Sequence, residues 1–550
     1  MPDAIDQKLQ YGFSGIKSRL FTSGKRKKQL LTTCILFLFV KDAIAQITFQ
    51  KTYGGVNDEF VYSIGQTSDG GYIIAGSTRS FGAGNEDIYL TRINSTGDTL
   101  WTRTFGGADY EYANSAEQTS DGGFIIAATT DNLSTSDIYL LRTDSSGNFI
   151  WAKTYGGSGF DFGNSVQQTN DGGFIVAGLT RSFGAGMYDA YLIRTDAQGD
   201  TLWTKTYGGI DNESGKYSVR QTSDSGFIIS GGTQSFGAGN TDAYIIRTNS
   251  LGDTLWTKAY GGTANDYVYA IIQTADSGFV FAGSTSSFGA GVYNIYLTKT
   301  NSLGNVAWTK TFGGNGFDGG GYFRQTADGG FILTGAYNPP TTQDYDVYLI
   351  RADSSGNLIW AKTYGGTQAD LGYDVEQTND DGYIIAGMSR SFGLGASDTY
   401  LIRTDSLGNT GCNQTNYPTI TNTAFMQVES PAAMISSGGI INVPSVIPGS
   451  GVLFTTLCST VGTNEISMGG SFHIYPNPSR GNFTIEFERT VIKGNLEIVN
   501  ILGVPVNTGI TENILNKLKK EITLTNISNG IYFVKIDTGQ EQHIEKLIIQ

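Results

Sequence analysis

Seven carboxylates recur at one place in this chain. Glu59, Glu111, Asp161, Glu213, Asp266, Asp318 and Asp370 each stand six residues after the aromatic of a Tyr-Gly-Gly or Phe-Gly-Gly step. Carboxylates near the mouth of a common channel could hold a hard cation such as Ca²⁺ through oxygen ligands, or contact sugar hydroxyls. Each can equally accept hydrogen bonds from backbone N–H groups of its own loop, and its presence in every copy favours that architectural role. Glycoside hydrolysis needs two carboxylates in distinct environments, whereas repeat symmetry makes these acids nearly equivalent. Histidine occurs only at His473 and His543, and no cysteine lies between Cys34 and Cys412. A His-dependent triad, a Cys–His nucleophile and a His/Cys zinc site are therefore excluded from the stretch that carries the acids.

A second recurring segment, Ser-Phe-Gly-Ala-Gly, begins at Ser80, Ser182, Ser235 and Ser287, with Leu394 in place of Ala in the copy at Ser391. Its Phe residues could stack on sugars, though such a ring more often plugs the gap to a neighbouring element. Two copies depart from the rule. The second has Asp131 and Asn132, and the sixth has Asn338 to Thr342, flanked by Tyr337 and Tyr345. Departures from a repeated pattern are where specific recognition is expected, so Asp131, Asn132, Tyr337 and Tyr345 join the seven acids as candidate ligand contacts.

These groups are set in a repeat. Trp101, Trp151, Trp203, Trp256, Trp308 and Trp360 stand 50 to 53 residues apart, and Gln-Thr-x-Asp begins seven times between Gln66 and Gln377. A fixed period of that length defines a repeat architecture. Each repeat holds four short runs of β-branched and aromatic residues bounded by Gly, Asp, Asn and Ser, which reads as four strands. The expected fold is all-β, a seven-bladed β-propeller over residues 46–411. The acids and the Ser-Phe-Gly-Ala-Gly loops fall on one face of it, the expected binding face. Phe49 fills the Trp slot ahead of the first repeat, so residues 47–53 are expected to complete the last blade and close the ring.

Lys25 to Lys28, an apolar run from Leu30 to Val40, and Ala43-Ile44-Ala45 read as a secretory signal within residues 1–45, cut between Ala45 and Gln46. That run is too short to span a bilayer, and no transmembrane anchor is expected. The 550 residues carry a formal net charge of −14, and loss of the leader with eight bases and three acids leaves −19. Such acidity argues against nucleic acid and anionic membranes as partners. Cys412 and Cys458 then remain, and in an oxidising compartment two cysteines most simply form one disulfide. They bracket residues 412–470, where the repeat is lost and a small β annex with a linker is expected.

Residues 471–550 alternate apolar and polar residues between turns, which supports an immunoglobulin-like β-sandwich. They open on Tyr475-Pro476-Asn477-Pro478 followed by Gly481, pass through Gly530-Ile531-Tyr532-Phe533-Val534-Lys535, and end on Lys546-Leu547-Ile548-Ile549. In these three motifs the tail resembles the type A C-terminal sorting domain of the type IX secretion system. The resemblance implies that Tyr475, Pro476, Asn477, Pro478, Gly481, Gly530, Tyr532, Lys546 and Leu547 form the sorting motif. It also implies folding in the periplasm, engagement of the type IX machinery at the outer membrane, and release or surface attachment of the cargo.

These readings predict a secreted or cell-surface module that binds polysaccharide or protein. No organic cofactor is expected, and Ca²⁺ is the one metal the acids leave open. The alternatives are a polysaccharide-degrading enzyme using carboxylates of the long-loop face and a purely structural surface component.

Overall fold

The computed structural model describes residues 46–549, apart from residues 339–343, 462–471, 501–511 and shorter stretches within 417–452 and 492–541. The signal reading at 1–45 lies outside the described residues. All regular structure in the described residues is β-strand.

Each repeat folds as four consecutive antiparallel strands. In the first, Glu59–Gln66, Tyr72–Thr78, Asp87–Ile93 and Thr99–Gly106 pair in chain order, and six further sheets repeat the pattern. The second and third strands read as unbroken apolar runs because both of their faces are covered. Ile73 and Ala75 pack against the second sheet, while Tyr72 and Ile74 pack against the seventh. Successive side chains of one strand point to opposite faces, so every sheet is sandwiched between two others. The cluster that joins the first sheet to the seventh closes the series into a ring. Ile47–Gly54 pairs with Asp398–Thr404, Phe49 opposite Arg403 and Tyr53 opposite Thr399, so the seventh sheet is built from both ends of the array.

The residues that recur along the repeats are latches between neighbouring sheets. Trp101 stands edge-on to Phe124 of the next sheet at 5.8 Å. A Cβ added at Gly147, whose φ is 75°, would lie 2.8 Å from the Trp101 ring. Phe49 fills the same slot at the closure, over Gly97. Tyr53, Tyr155, Tyr207, Tyr260 and Tyr364 donate their hydroxyls at 2.6 Å to the carbonyls of Gly97, Gly199, Gly252, Gly304 and Gly408 in the following sheet. Within a sheet, buried Arg194 on the third strand pairs at 2.5 Å with Asp171 in the first turn, and Arg142–Asp121 and Arg351–Asp328 repeat the bridge.

Among the described residues, the segment expected as an annex forms no sheet of its own. Gln414–Asn416, Ile420–Thr423, Gln427–Glu429, Met434–Ser436, Ile440–Asn442, Ile447–Gly449 and Leu453–Val461 each add a fifth, outer strand to one sheet. They do so in the order sixth, fifth, fourth, third, second, first and seventh. The segment therefore runs round the ring against the direction of the repeats and covers each outer edge, removing the unpaired N–H and C=O groups that invite aggregation. Cys412 and Cys458 are bonded, with Cα atoms 6.3 Å apart, which ties the start of this girdle to its end beside the seventh sheet.

In the tail, Phe472–Tyr475, Asn482–Val491 and Lys517–Thr523 form one sheet. Glu512–Ile514, Gly494–Asn500, Gly530–Asp537 and Gln542–Ile549 form another. Ile485, Ile498, Val534 and Leu547 are among the residues of a shared core.

Candidate binding site

All seven recurring acids are buried. Each accepts a hydrogen bond from the N–H of the glycine four residues earlier, from Gly55 to Glu59 through to Gly366 to Asp370, at 2.6 to 3.3 Å. Each also packs, across a glycine too tight for a Cβ, against an Asp or Asn that opens the third strand of the preceding sheet. A Cβ at Gly365 would meet both Asp346 and Asp370 within 2.8 Å. Burial, then the Asp370 charge, pushes Asp346 up to about 7, and burial raises Glu213 to about 7. Among the described residues no group of three or more His, Cys, Asp or Glu is placed to hold a metal ion.

The other sequence candidates scatter. Phe81, Phe183, Phe236 and Phe392 lie against Tyr89, Tyr191, Tyr244 and Tyr400 of their own sheets at 5.7 to 6.0 Å, filling gaps in the ring. Asp131 and Asn132 turn back on their own loop, accepting from the N–H groups of Leu133 at 2.7 Å and Ser134 at 3.0 Å. Tyr337 is buried against Tyr348 at 5.7 Å. Tyr345 lines a cavity, with its ring edge-on to Phe317 at 5.9 Å.

That cavity is a cup of about 770 Å³ walled by eight aromatic side chains, including Tyr62, Tyr269, Tyr322, Tyr345 and Tyr373, with Arg390 among the other lining residues. A second cavity of about 410 Å³ is lined by the first strands of all seven sheets and is polar, with Asn114, Asn164, Glu117, Arg220, Arg324 and Glu376 on its wall. Tyr62, Lys216, Tyr269 and Tyr322 line both and form the partition between them. Tyr269 stacks on Tyr322 at 5.3 Å, and Tyr62 meets Tyr373 at 5.4 Å. In the polar cavity Arg324 bridges Glu376 at 2.8 Å and Asp374 at 3.1 Å.

The signal for this site is present in the sequence once the first strands are compared down the repeats. Each first strand carries a β-bulge, and at the bulge stands Tyr62, Asn114, Asn164, Tyr269, Gly321 or Tyr373. A bulge re-aims a side chain, and here it is the position that varies while its neighbours repeat. The fourth strand is the most irregular. Ser214 pairs with Gly232 and the next pair is Ser218 with Ser230, so Gly215, Lys216 and Tyr217 together oppose Gly231. Gly215 has φ 88°, a conformation that suits glycine. Tyr217 is buried over Gly231 and donates its hydroxyl to the Gly232 carbonyl at 3.0 Å. Lys216 is thereby turned across the channel, its Nζ 3.8 Å from the centre of the Tyr62 ring, and burial lowers its pKa to about 8.

In the tail, the three motifs meet. Asn477 Nδ2 donates to the Lys546 carbonyl, its Oδ1 accepts from Ile548 N–H at 2.8 Å, and Ser479 N–H donates to the Ile548 carbonyl at 2.8 Å. Tyr532 donates to the Ser528 carbonyl at 2.8 Å. Tyr475, Pro476, Asn477, Pro478 and Lys546 are exposed, so the joined motifs form a surface.

The all-β chain of repeated sheets thus ends in two further sheets whose motifs share one exposed surface. Residues 473–550 match the family model described as the secretion system C-terminal sorting domain. The protein is exported to the cell surface or secreted through the outer membrane, and its tail engages the type IX secretion system. No helix among the described residues is long and apolar enough to cross a membrane. No curated protein matches the chain.

Proposed function

We propose that residues 46–411 are a seven-bladed β-propeller, girdled by the segment after it and followed by an immunoglobulin-like sorting domain at 471–550, and that the propeller binds polysaccharide outside the cell. The aromatic cup carries this reading. Tyrosine faces stack on the C–H faces of sugar rings while their hydroxyls exchange hydrogen bonds with sugar hydroxyls, and the cup volume is that of a small-ligand site. Its residues come from positions that vary among the repeats, where architecture makes no demand. The acids that an enzyme on the long-loop face would use are buried and hydrogen-bonded to their loops, which favours binding without turnover.

Glycan-array and calorimetric titration of the mature protein test the proposal. Tyr269→Ala and Tyr322→Ala are expected to weaken saccharide binding by about 5- to 150-fold, the stacking loss of roughly 1–3 kcal/mol per ring seen for aromatic platforms, without lowering the melting temperature. Unchanged affinity in both variants refutes the cup as the site, and release of reducing sugar by the wild-type protein refutes binding without turnover.

A further inference from the structure

The channel of this acidic protein contains two cations, Lys216 and Arg220, with no carboxylate in ion-pair contact among the described residues. The chain has 36 Lys and Arg against 50 Asp and Glu, and most buried bases are paired, as in Lys51–Asp98 and Arg194–Asp171. Asp374 and Glu376 in the polar cavity are taken by Arg324, and Glu117 accepts from the Gln168 N–H at 3.0 Å and faces Arg220 from beyond ion-pair distance, so Lys216 is the cation farthest from compensation. Among the described residues neither Lys216 nor Arg220 has a carboxylate within 4.0 Å. Arg220 Nη1 donates to the Val219 carbonyl at 2.8 Å, which leaves further guanidinium donors for the cavity.

We infer that the cup and the cavity below it receive an acidic saccharide, its ring stacked on the tyrosines and its carboxylate met by Lys216, with Arg220 beneath. The inference rests on the saccharide reading above and names the ligand class. Lys216 and Arg220 lie on the same strand and both line the polar cavity, and Lys216 also lines the cup. They are therefore in series along one path from the mouth inward. The enlarged bulge at Gly215–Tyr217 exists in this repeat alone among the first strands, and its effect is to carry the Lys216 head across to Tyr62. A cation held on an aromatic face in a partly desolvated cup attracts an anion more strongly than one in open water. A sugar ring supplies the stacking face that the tyrosines need. An acidic peptide brings the carboxylate with little to stack, so the saccharide is the better match.

The test uses the mature protein with trigalacturonate and its methyl ester, which share the sugar chain and differ at the carboxyl groups, at low and high salt. The acid is expected to bind at least tenfold more tightly than the ester at low salt, with the difference shrinking as salt rises. Lys216→Met should abolish that preference, bringing acid and ester to equal affinity, while Lys216→Arg should keep it. Loss of a charge-assisted bond corresponds to about 10- to 100-fold. Unchanged melting of Lys216→Met confirms that the scaffold is intact. If Lys216→Met unfolds the ring, Arg220→Met and the salt dependence of the wild type carry the same comparison. Equal binding of acid and ester overturns the acidic ligand and leaves the cup as a saccharide site. If hexaglutamate binds and neither sugar does, or if none of the three binds, both readings fall.

Discussion

Removing the Cys412–Cys458 bond should loosen the whole circumference of the ring, not merely the neighbourhood of the seventh sheet. Six of the seven girdle strands are three or four residues long, and each pairs with its sheet through three or four residue positions. Strands this short are marginal on their own and are held by being tethered to one another. The bond closes a sequence separation of 46 residues. Loop entropy then gives a stabilisation of about 4 kcal/mol at 25 °C. Spread over a ring of this size, with unfolding entropy near 2 cal/mol/K per residue, that corresponds to a fall in melting temperature of roughly 5 °C. The assay is calorimetry with hydrogen exchange on the exported protein, comparing wild type with the Cys412→Ser/Cys458→Ser double variant. The expected result is the lower melting temperature together with faster amide exchange in outer strands such as Thr99–Gly106 and Thr201–Gly208, far from the bond in sequence. Faster exchange confined to Ile47–Gly54 and Leu453–Val461, or no change in either measurement, would show that the girdle strands hold independently and refute the reasoning.

Three other outcomes follow. Gly147→Ala should cost about 2–4 kcal/mol, from a left-handed alanine and a Cβ 2.8 Å from Trp101. Gly172→Ala, at φ 87° with nothing within 4 Å, should cost only about 1–2 kcal/mol, and equal losses in thermal denaturation would discard the latch. The junction acids give a pH dependence: Asp346 and Glu213 are raised to about 7 and Asp318 and Asp398 to about 6, chiefly by burial. An acid with a raised folded pKa keeps a proton that the unfolded chain releases, so stability is full below about pH 4 and declines until pH 6 to 7. Asp98 and Asp276, held at about 2 chiefly by hydrogen bonds from Thr and Lys, act below that window. Melting should therefore be lower at pH 8 than at pH 5, less so in Asp346→Asn, and a rise across that range would contradict the assignment. Finally, deletion of residues 471–550 should retain the protein in the periplasm, and Asn477→Ala should lower its export. Equal surface and medium levels in immunoblots of fractionated cells would count against the motif.

The sequence made the repeated part of the fold legible because nearly every sheet uses the same Trp, Gly and Tyr to grip the next and a basic residue with an Asp to brace its own first turn. Phe49 in the Trp slot was enough to place Ile47–Gly54 in the last sheet. The site was less legible because repetition marks architecture. The seven acids were conspicuous by recurrence, and recurrence is what fastening each loop requires. Tyr62, Asn114, Lys216 and Tyr269 were hidden by being different at one aligned position. Tyr345 was found from its departure from pattern, but the same logic put forward Tyr337, which the next strand buries. The girdle was illegible for another reason: a three-residue strand has no period to read, and its pairing partner lies up to some 340 residues away, as for Ile447–Gly449 with the strand at Thr104–Gly106.

Ile47 pairs with Val461, so the array and its girdle begin and end side by side in one sheet. When the exported chain is held through its C-terminal end and dragged by fluid or by a bound polymer, tension enters at Val461. Three residues further in it reaches Cys458, crosses the disulfide to Cys412 and continues into the seventh sheet. The residues between the two cysteines are bypassed and carry no load. The bond is thus a mechanical shunt: a pull on the tail strains Cys458–Val461 against Ile47–Gln50, while the strands on the other six sheets stay slack and seated.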